Sequence, residues 1–248
     1  MIALRSEITR ARLGERPALV GPFLSVPSPM VTEIACAARP DFVCIDMEHG
    51  PIAPTMAEDM VRAAALWQVP ALVRVPGPDP AAIGQALDSG AVGVLVPRVS
   101  SVEEARAAVA AARFPPEGRR GLGPCRASAY GRDLPDYLNT ARALTVVAIQ
   151  IETVEALDLL DGMLAVPGID LAFIGPGDLG VGLAADARDT TLEGAIDTVL
   201  SAAAAAHCAA GIFTMTRPDA ARYAGRVALA ICGSDSSVLM DGFANTFG

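Results

Sequence analysis

The apolar run Phe42-Val43-Cys44-Ile45 is followed at once by Asp46, Glu48 and His49, so one short stretch delivers two carboxylates and an imidazole. Such groups hold cations or pass protons near neutral pH. Arg74 closes a second apolar run, Leu72-Val73, and its planar fork suits a carboxylate or an enolate oxygen. The competing reading of Arg74 is a structural ion pair with Asp46 or Glu48. Gln150 and Glu152 end a third run, and Asp178 follows a fourth in the turn Gly175-Pro176-Gly177-Asp178. If these last two runs are neighbouring strands, the Glu152 and Asp178 carboxylates approach each other and repel unless a proton or cation lies between them. Oxygen ligands of this kind suit Mg²⁺ or Mn²⁺, which keep positions open for water and substrate. Against this stands simple capping, by Glu152 of a helix from Thr153 and by Asp178 of its turn. Backbone N–H groups in the Gly-rich turn, where a helix could start, offer a further place for a small carboxylate.

Residues so far apart in the chain need a scaffold that brings strand ends to one side. Apolar, largely β-branched runs are expected as strands at 19–26, 42–47, 71–75, 93–99, 145–151, 171–174, 211–215 and 227–231, separated by segments of helical period. Eight strand-then-helix units in 248 residues predict an α/β fold, a single-domain (β/α)8 barrel over residues 1–248, with a doubly wound open sheet as the runner-up. The rhythm breaks over 114–144, a Pro-, Gly- and Arg-rich stretch expected as a long functional or inter-subunit connection. The most Ala-rich helix carries His207, expected on a helix surface away from the site. Ser234 is expected to cap a terminal helix over 234–247, with a phosphate cradle as the weaker alternative.

Composition removes several kinds of chemistry. All 19 basic residues are arginine, and a chain without lysine cannot form the Schiff bases of lysine aldolases or pyridoxal-phosphate enzymes, nor a P-loop. A net charge of −9 argues against nucleic-acid or anionic-membrane partners. No signal or membrane-spanning run is expected. Five scattered cysteines without a CxxC pair suit reduced thiols, hence a cytoplasmic location.

Five ordered motifs carry a resemblance: Asp46-Met47-Glu48-His49-Gly50, Val73-Arg74-Val75-Pro76, Gly118-Arg119-Arg120-Gly121, Gln150-Ile151-Glu152-Thr153 and Phe173-Ile174-Gly175-Pro176-Gly177-Asp178-Leu179. Over about 19–233 the chain resembles the HpcH/HpaI family of metal-dependent pyruvate aldolases. The resemblance implies a barrel and a homo-oligomer, a hexamer or trimer, with the last helix exchanged between neighbours. It implies Glu152 and Asp178 as ligands of a divalent cation (Mg²⁺, Mn²⁺ or Co²⁺), and Asp46 with His49 as an acid/base dyad. Arg74 would hold the pyruvate oxygen and stabilise its enolate, and Gln150 with the Gly177 and Asp178 backbone would line the pyruvate site. Met47 and Gly180 depart from the small or polar residues common there, which leaves the aldehyde open.

The expected reaction is reversible cleavage of a 4-hydroxy-2-oxo acid to pyruvate and an aldehyde. Oxaloacetate decarboxylation, acyl-CoA lyase chemistry and pyruvate binding without turnover are the alternatives. Arg74→Ala is expected to lower activity while leaving the fold intact.

Overall fold

The computed structural model describes residues 3–248. Its eight strands are parallel and close on themselves in sequence order, so the architecture is a (β/α)8 barrel. The strands are β1 Leu19–Leu24, β2 Val43–Asp46, β3 Ala71–Arg74, β4 Gly93–Val96, β5 Val146–Ile151, β6 Leu171–Ile174, β7 Ala209–Thr214 and β8 Leu229–Ser234. The helices that precede and separate them are α1 Leu4–Arg12, α2 Pro29–Ala37, α3 Pro54–Leu66, α4 Pro80–Asp88, α5 Val102–Ala112 and α6 Leu134–Leu144. They continue as α7 Val154–Asp158, α8 Leu160–Leu164, α9 Pro176–Ala185, α10 Leu192–Ala205, α11 Arg217–Ala221 and α12 Asp235–Phe247.

Strand alternation sorts the apolar residues into two cores. Val43, Ile45, Val73, Val94, Ile149 and Ile174 face outward and pack beneath the helices. Cys44, Leu72, Leu95, Ala148, Leu171 and Phe173 fill the barrel interior. The same period of two carries the inner face forward from Cys44 to Asp46, from Leu72 to Arg74, and from Ala148 through Gln150 to Glu152. Small residues make room for the large ones: a Cβ on Gly211 would meet the Phe173 ring at 2.9 Å.

Three elements depart from the expectation. Helix α1 was not anticipated; its Leu4 and Ile8, one turn apart, are buried against the interior cluster and cover the N-terminal mouth. The stretch 114–144 is not a bare connection, because it contains a 3-10 turn at Arg126–Gly131 and the helix α6. Its arginines bind this chain: Arg120 is buried against Asp88 at 2.7 Å and stacks on Phe114, and Arg126 donates to the Ser89 carbonyl at 2.8 Å. Those partners flank the start of β4, so the excursion packs at the barrel end opposite the carboxylates. Finally, the Gly-rich segment after β6 is the helix α9, held down by buried Leu179 and Leu183. No described helix is long and apolar enough to cross a membrane.

Candidate active site

Strands β2 and β3 pair with Asp46 directly opposite Arg74. Both side chains point inward at the C-terminal mouth, the face on which barrel enzymes build their sites. Arg74 Nε donates to Asp46 Oδ1 at 2.8 Å and Nη2 to Oδ2 at 2.7 Å, a bidentate fork. Its third nitrogen, Nη1, lies 3.2 Å from Glu48 Oε2. The Phe23 ring covers the guanidinium, 4.2 Å from ring centre to Cζ. Burial works against the charge on Arg74, but its bonds to Asp46 and the field of Asp46 and Glu48 hold its pKa above the ordinary arginine value.

Asp46 serves the loop as well. Its Oδ1 accepts from the backbone N–H of Glu48 at 3.0 Å and of His49 at 3.3 Å. The imidazole itself is exposed, and its nearest carboxylate is Glu48, with His49 Nε2 3.8 Å from Glu48 Oε2. Asp46 therefore grips the His49 main chain and the Arg74 fork, where the dyad expectation had it orienting the ring. The reason is geometric: Asp46 points into the barrel, whereas His49 lies past the strand end on the rim.

Strands β5 and β6 are neighbours, as the pairing of Gln150 with Phe173 shows. Glu152 is only 3% exposed; its Oε1 accepts from the Arg98 backbone at 2.8 Å and its Oε2 from Gln150 Nε2. It does not cap the next helix, a task done by the Thr153 hydroxyl. Gly175 leaves room for this pair, because a Cβ at that position would fall 2.7 Å from Glu152 Oε2 and 2.8 Å from Gln150 Nε2 and displace them. Gly177 and Asp178 stand in the first turn of α9, whose N–H groups lack intrahelical partners. His207 lies apart, in a cavity beside Arg12 and Ala228 at the other end of the barrel.

Burial pushes the Glu152 pKa upward, helped by repulsion from Glu48 and Asp178 and opposed by the Arg98 and Gln150 bonds. Glu48 is raised as well, by burial first and then by Asp46 and Asp178, against the pull of Arg74 and His49. Three carboxylates thus feel one another at this mouth. A cation among them fits: it would relieve that repulsion, and the buried Gln150 Oε1, which has no hydrogen-bond partner, adds a free acceptor nearby. Among the described residues no three His, Cys, Asp or Glu side chains converge, so a hard cation held here would need water and substrate to complete its shell.

This charge frustration predicts a stability change. A carboxyl whose folded-state pKa lies above its ordinary 4.5 is neutral in both states at low pH, and opposes folding fully once pH exceeds the folded value. Glu152→Gln in metal-free protein is accordingly expected to raise the melting temperature at about pH 7 by roughly 2 °C or more, with little change near pH 4. Thermal scans at both pH values check this; a lower melting temperature at neutral pH would show that the carboxylate is not frustrated.

Arg74, Asp46, Gln150 and Asp178 line a cavity of about 390 Å³, closed on its other sides by Phe23, Phe173 and Phe213 and by Ser25, Ser234 and Ser236. Asp178 also borders an adjoining cavity of about 390 Å³ with Glu152 and Arg98. Phe23 and the serine residues were not foreseen as lining. Alternation along β1 was the available signal for Phe23, since Leu19, Gly21 and Phe23 share the inner face.

The HpcH/HpaI aldolase/citrate lyase family model matches residues 19–241. This chain belongs to that family. It is 38% identical over 228 residues to a 4-hydroxy-2-oxo-heptane-1,7-dioate aldolase of Salmonella paratyphi C, covering 90% of this chain and 86% of that protein. It is 42% identical over 171 residues to a 4-hydroxy-2-oxovalerate aldolase of Novosphingobium aromaticivorans, a match spanning 68% of this chain and 65% of the relative. Among solved structures, an HpcH/HpaI aldolase/citrate lyase family protein from Burkholderia cenocepacia superposes with a TM-score of 0.87 at 35% identity, covering 98% of this chain and 97% of that one. The chain is a carbon–carbon lyase.

Proposed function

We propose that this HpcH/HpaI protein catalyses reversible aldol cleavage of a 4-hydroxy-2-oxo acid to pyruvate and an aldehyde, with Glu152 and Asp178 holding a divalent cation beside Arg74. The observation that carries this reading is the mouth itself: a buried guanidinium, forked onto Asp46, shares one end of the barrel with a buried, frustrated carboxylate in a chain that has no lysine. A bound Mg²⁺, Mn²⁺ or Co²⁺ would polarise the 2-oxo group as a Lewis acid.

The chain's own groups divide the remaining work. Arg74 has five N–H bonds, of which two are hydrogen-bonded to Asp46, so N–H groups remain for the oxygen that becomes negative as the C3–C4 bond breaks, with Glu48 close enough only for an ion pair. The first-turn N–H groups at Gly177 and Asp178 receive the pyruvate carboxylate. Gln150, tied to Glu152, keeps that carboxylate from swinging. His49 at the rim takes the proton from the 4-hydroxyl during cleavage and returns it during addition, its position set by the Asp46 hold on its backbone. The test is pyruvate release from a 4-hydroxy-2-oxo acid by metal-stripped protein, before and after each ion is added. Release that needs no metal would overturn the reading.

The same reading includes a cytoplasmic homo-oligomer, supported by five unpaired cysteines and by α12, which leaves Val238, Met240, Phe243 and Phe247 exposed. A trimer or hexamer exchanging α12 between subunits would cover that face. Phe243→Asp is expected to shift the sedimentation coefficient to that of a smaller species; an unchanged value would take α12 out of the interface.

A further inference from the structure

The side of the cavity formed at the ends of β1 and β8 is built from hydroxyls whose protons are all committed. Asp235, 7% exposed, accepts from the Ser25 and Val26 backbone at 2.8 and 3.0 Å, and its Oδ1 also takes the Ser25 hydroxyl at 2.9 Å. A carboxylate oxygen bonded in this way only accepts, so the Ser25 proton is fixed on Asp235. The 3.1 Å bond between Ser25 Oγ and Ser236 Oγ must then be donated by Ser236. The 2.9 Å bond between Ser236 Oγ and Ser234 Oγ must in turn be donated by Ser234. Ser234 Oγ meanwhile accepts from the Ser237 backbone at 3.1 Å, and the Ser236 N–H is held by Asp235 at 2.8 Å. One buried carboxylate thereby sets the direction of the whole chain.

What is left on these cavity-lining oxygens is lone pairs, one on each. Such a wall accepts from a hydroxyl and gives nothing to a carboxylate or phosphate oxygen. The guanidinium lining this cavity, Arg74, already pairs with Asp46 and Glu48, and the aldolase reading gives its remaining N–H groups to the enolate oxygen. A second carboxylate on the aldehyde would therefore sit against acceptors backed by the Asp235 charge. We propose that Ser25, Ser234 and Ser236 select the aldehyde, favouring a short uncharged hydroxyaldehyde over an unsubstituted one and rejecting one with a terminal carboxylate. The proposal rests on the aldolase reading. An aldehyde with a terminal carboxylate is what C3–C4 cleavage of a 4-hydroxy-2-oxo-heptane-1,7-dioate leaves, the substrate for which one relative is named.

The experiment has two parts. Solvent deuterium exchange into the methyl group of pyruvate by metal-loaded protein reports enolate formation without any aldehyde. Aldol addition is then compared by kcat/KM for glycolaldehyde, propanal and succinic semialdehyde. We expect exchange, and a preference for glycolaldehyde of about tenfold or more over either competitor, the scale set by one or two hydrogen bonds. Ser236→Ala, at an exposed position, should shrink the glycolaldehyde-to-propanal ratio to within about threefold. Ser25→Ala frees the Ser236 proton as a donor and should raise the use of succinic semialdehyde relative to glycolaldehyde. Exchange together with equal use of all three aldehydes, or variants that lower all three in proportion, would overturn the proposal while leaving the aldolase reading in place. No exchange with any metal would remove the aldolase reading, and the proposal with it.

Discussion

Glu152→Ala is expected to abolish metal-dependent pyruvate release, lowering kcat/KM by about 10³-fold or more at any attainable metal concentration. The size follows from how little else can replace the group. Glu152 is buried and not engaged by Arg74, whereas Asp178 is exposed at the start of α9, and among the described residues no third His, Cys, Asp or Glu converges with them. Loss of one of two anionic donors removes most of the affinity for a hard cation, and with it the Lewis acid on the 2-oxo group. The structural cost is small by comparison. Truncation frees the Arg98 N–H and the Gln150 amide, both beside a water-accessible cavity, and relieves repulsion among Glu48, Glu152 and Asp178. The variant should therefore fold, keep its far-ultraviolet dichroism, and lose the thermal stabilisation that added Mn²⁺ gives the wild type. Pyruvate release with lactate dehydrogenase coupling, alongside Mn²⁺ titration, checks both. A variant that still responds to Mn²⁺ in melting temperature and turnover would place the metal on other groups.

How far the chain could be read before folding differs by element. The strands were legible because an all-parallel barrel buries both faces, which makes β6 at Leu171–Ile174 a continuous apolar run with no ambiguity of period. Helix α1 was hidden by its charges: Arg5, Glu7, Arg10 and Arg12 dominate its composition, and Leu4 and Ile8 alone mark the buried stripe. Helix α9 was legible only as a turn where a helix could start, because local propensity reads Gly177, Gly180 and Gly182 as turn; burial of Leu179 and Leu183 carries it on to Ala185. Helix α6 follows a run of Pro, Gly and Arg that suggests an unstructured link, although Pro135 stands where a helix tolerates it, in the first turn. At the site, residue types at strand ends were visible as a list. The ion pair of Arg74 with Asp46 and Glu48 was among the readings offered, and it forms; register, which sets Asp46 opposite Arg74 and leaves the His49 ring to the rim, was not visible. The serine wall was still less accessible, since it joins Ser25 to a segment 211 residues away in the chain.

Arg74→Lys is expected to lower kcat/KM for retro-aldol cleavage about 10²- to 10³-fold, chiefly in kcat, while Arg74→Ala does the same and also destabilises the protein. The two substitutions separate two duties. Arg74 is 7% exposed and Asp46 is 3% exposed, so removing the guanidinium strands a buried carboxylate; breaking such a pair costs about 3–5 kcal/mol. The expectation of an intact fold for the alanine variant does not survive that burial. Lysine restores a charge for Asp46, but one ammonium cannot keep two bonds on Asp46, reach Glu48 and still offer two N–H groups to a developing oxyanion. It also loses the flat face that stacks on Phe23. The activity loss should thus persist in the variant whose fold is kept. Urea unfolding and steady-state kinetics on both variants, with deuterium exchange into pyruvate as the enolate-specific readout, distinguish the duties. If Arg74→Lys exchanged pyruvate protons and cleaved substrate at near wild-type rates, Arg74 would be reduced to a structural partner of Asp46, and enolate stabilisation would have to come from elsewhere at the mouth.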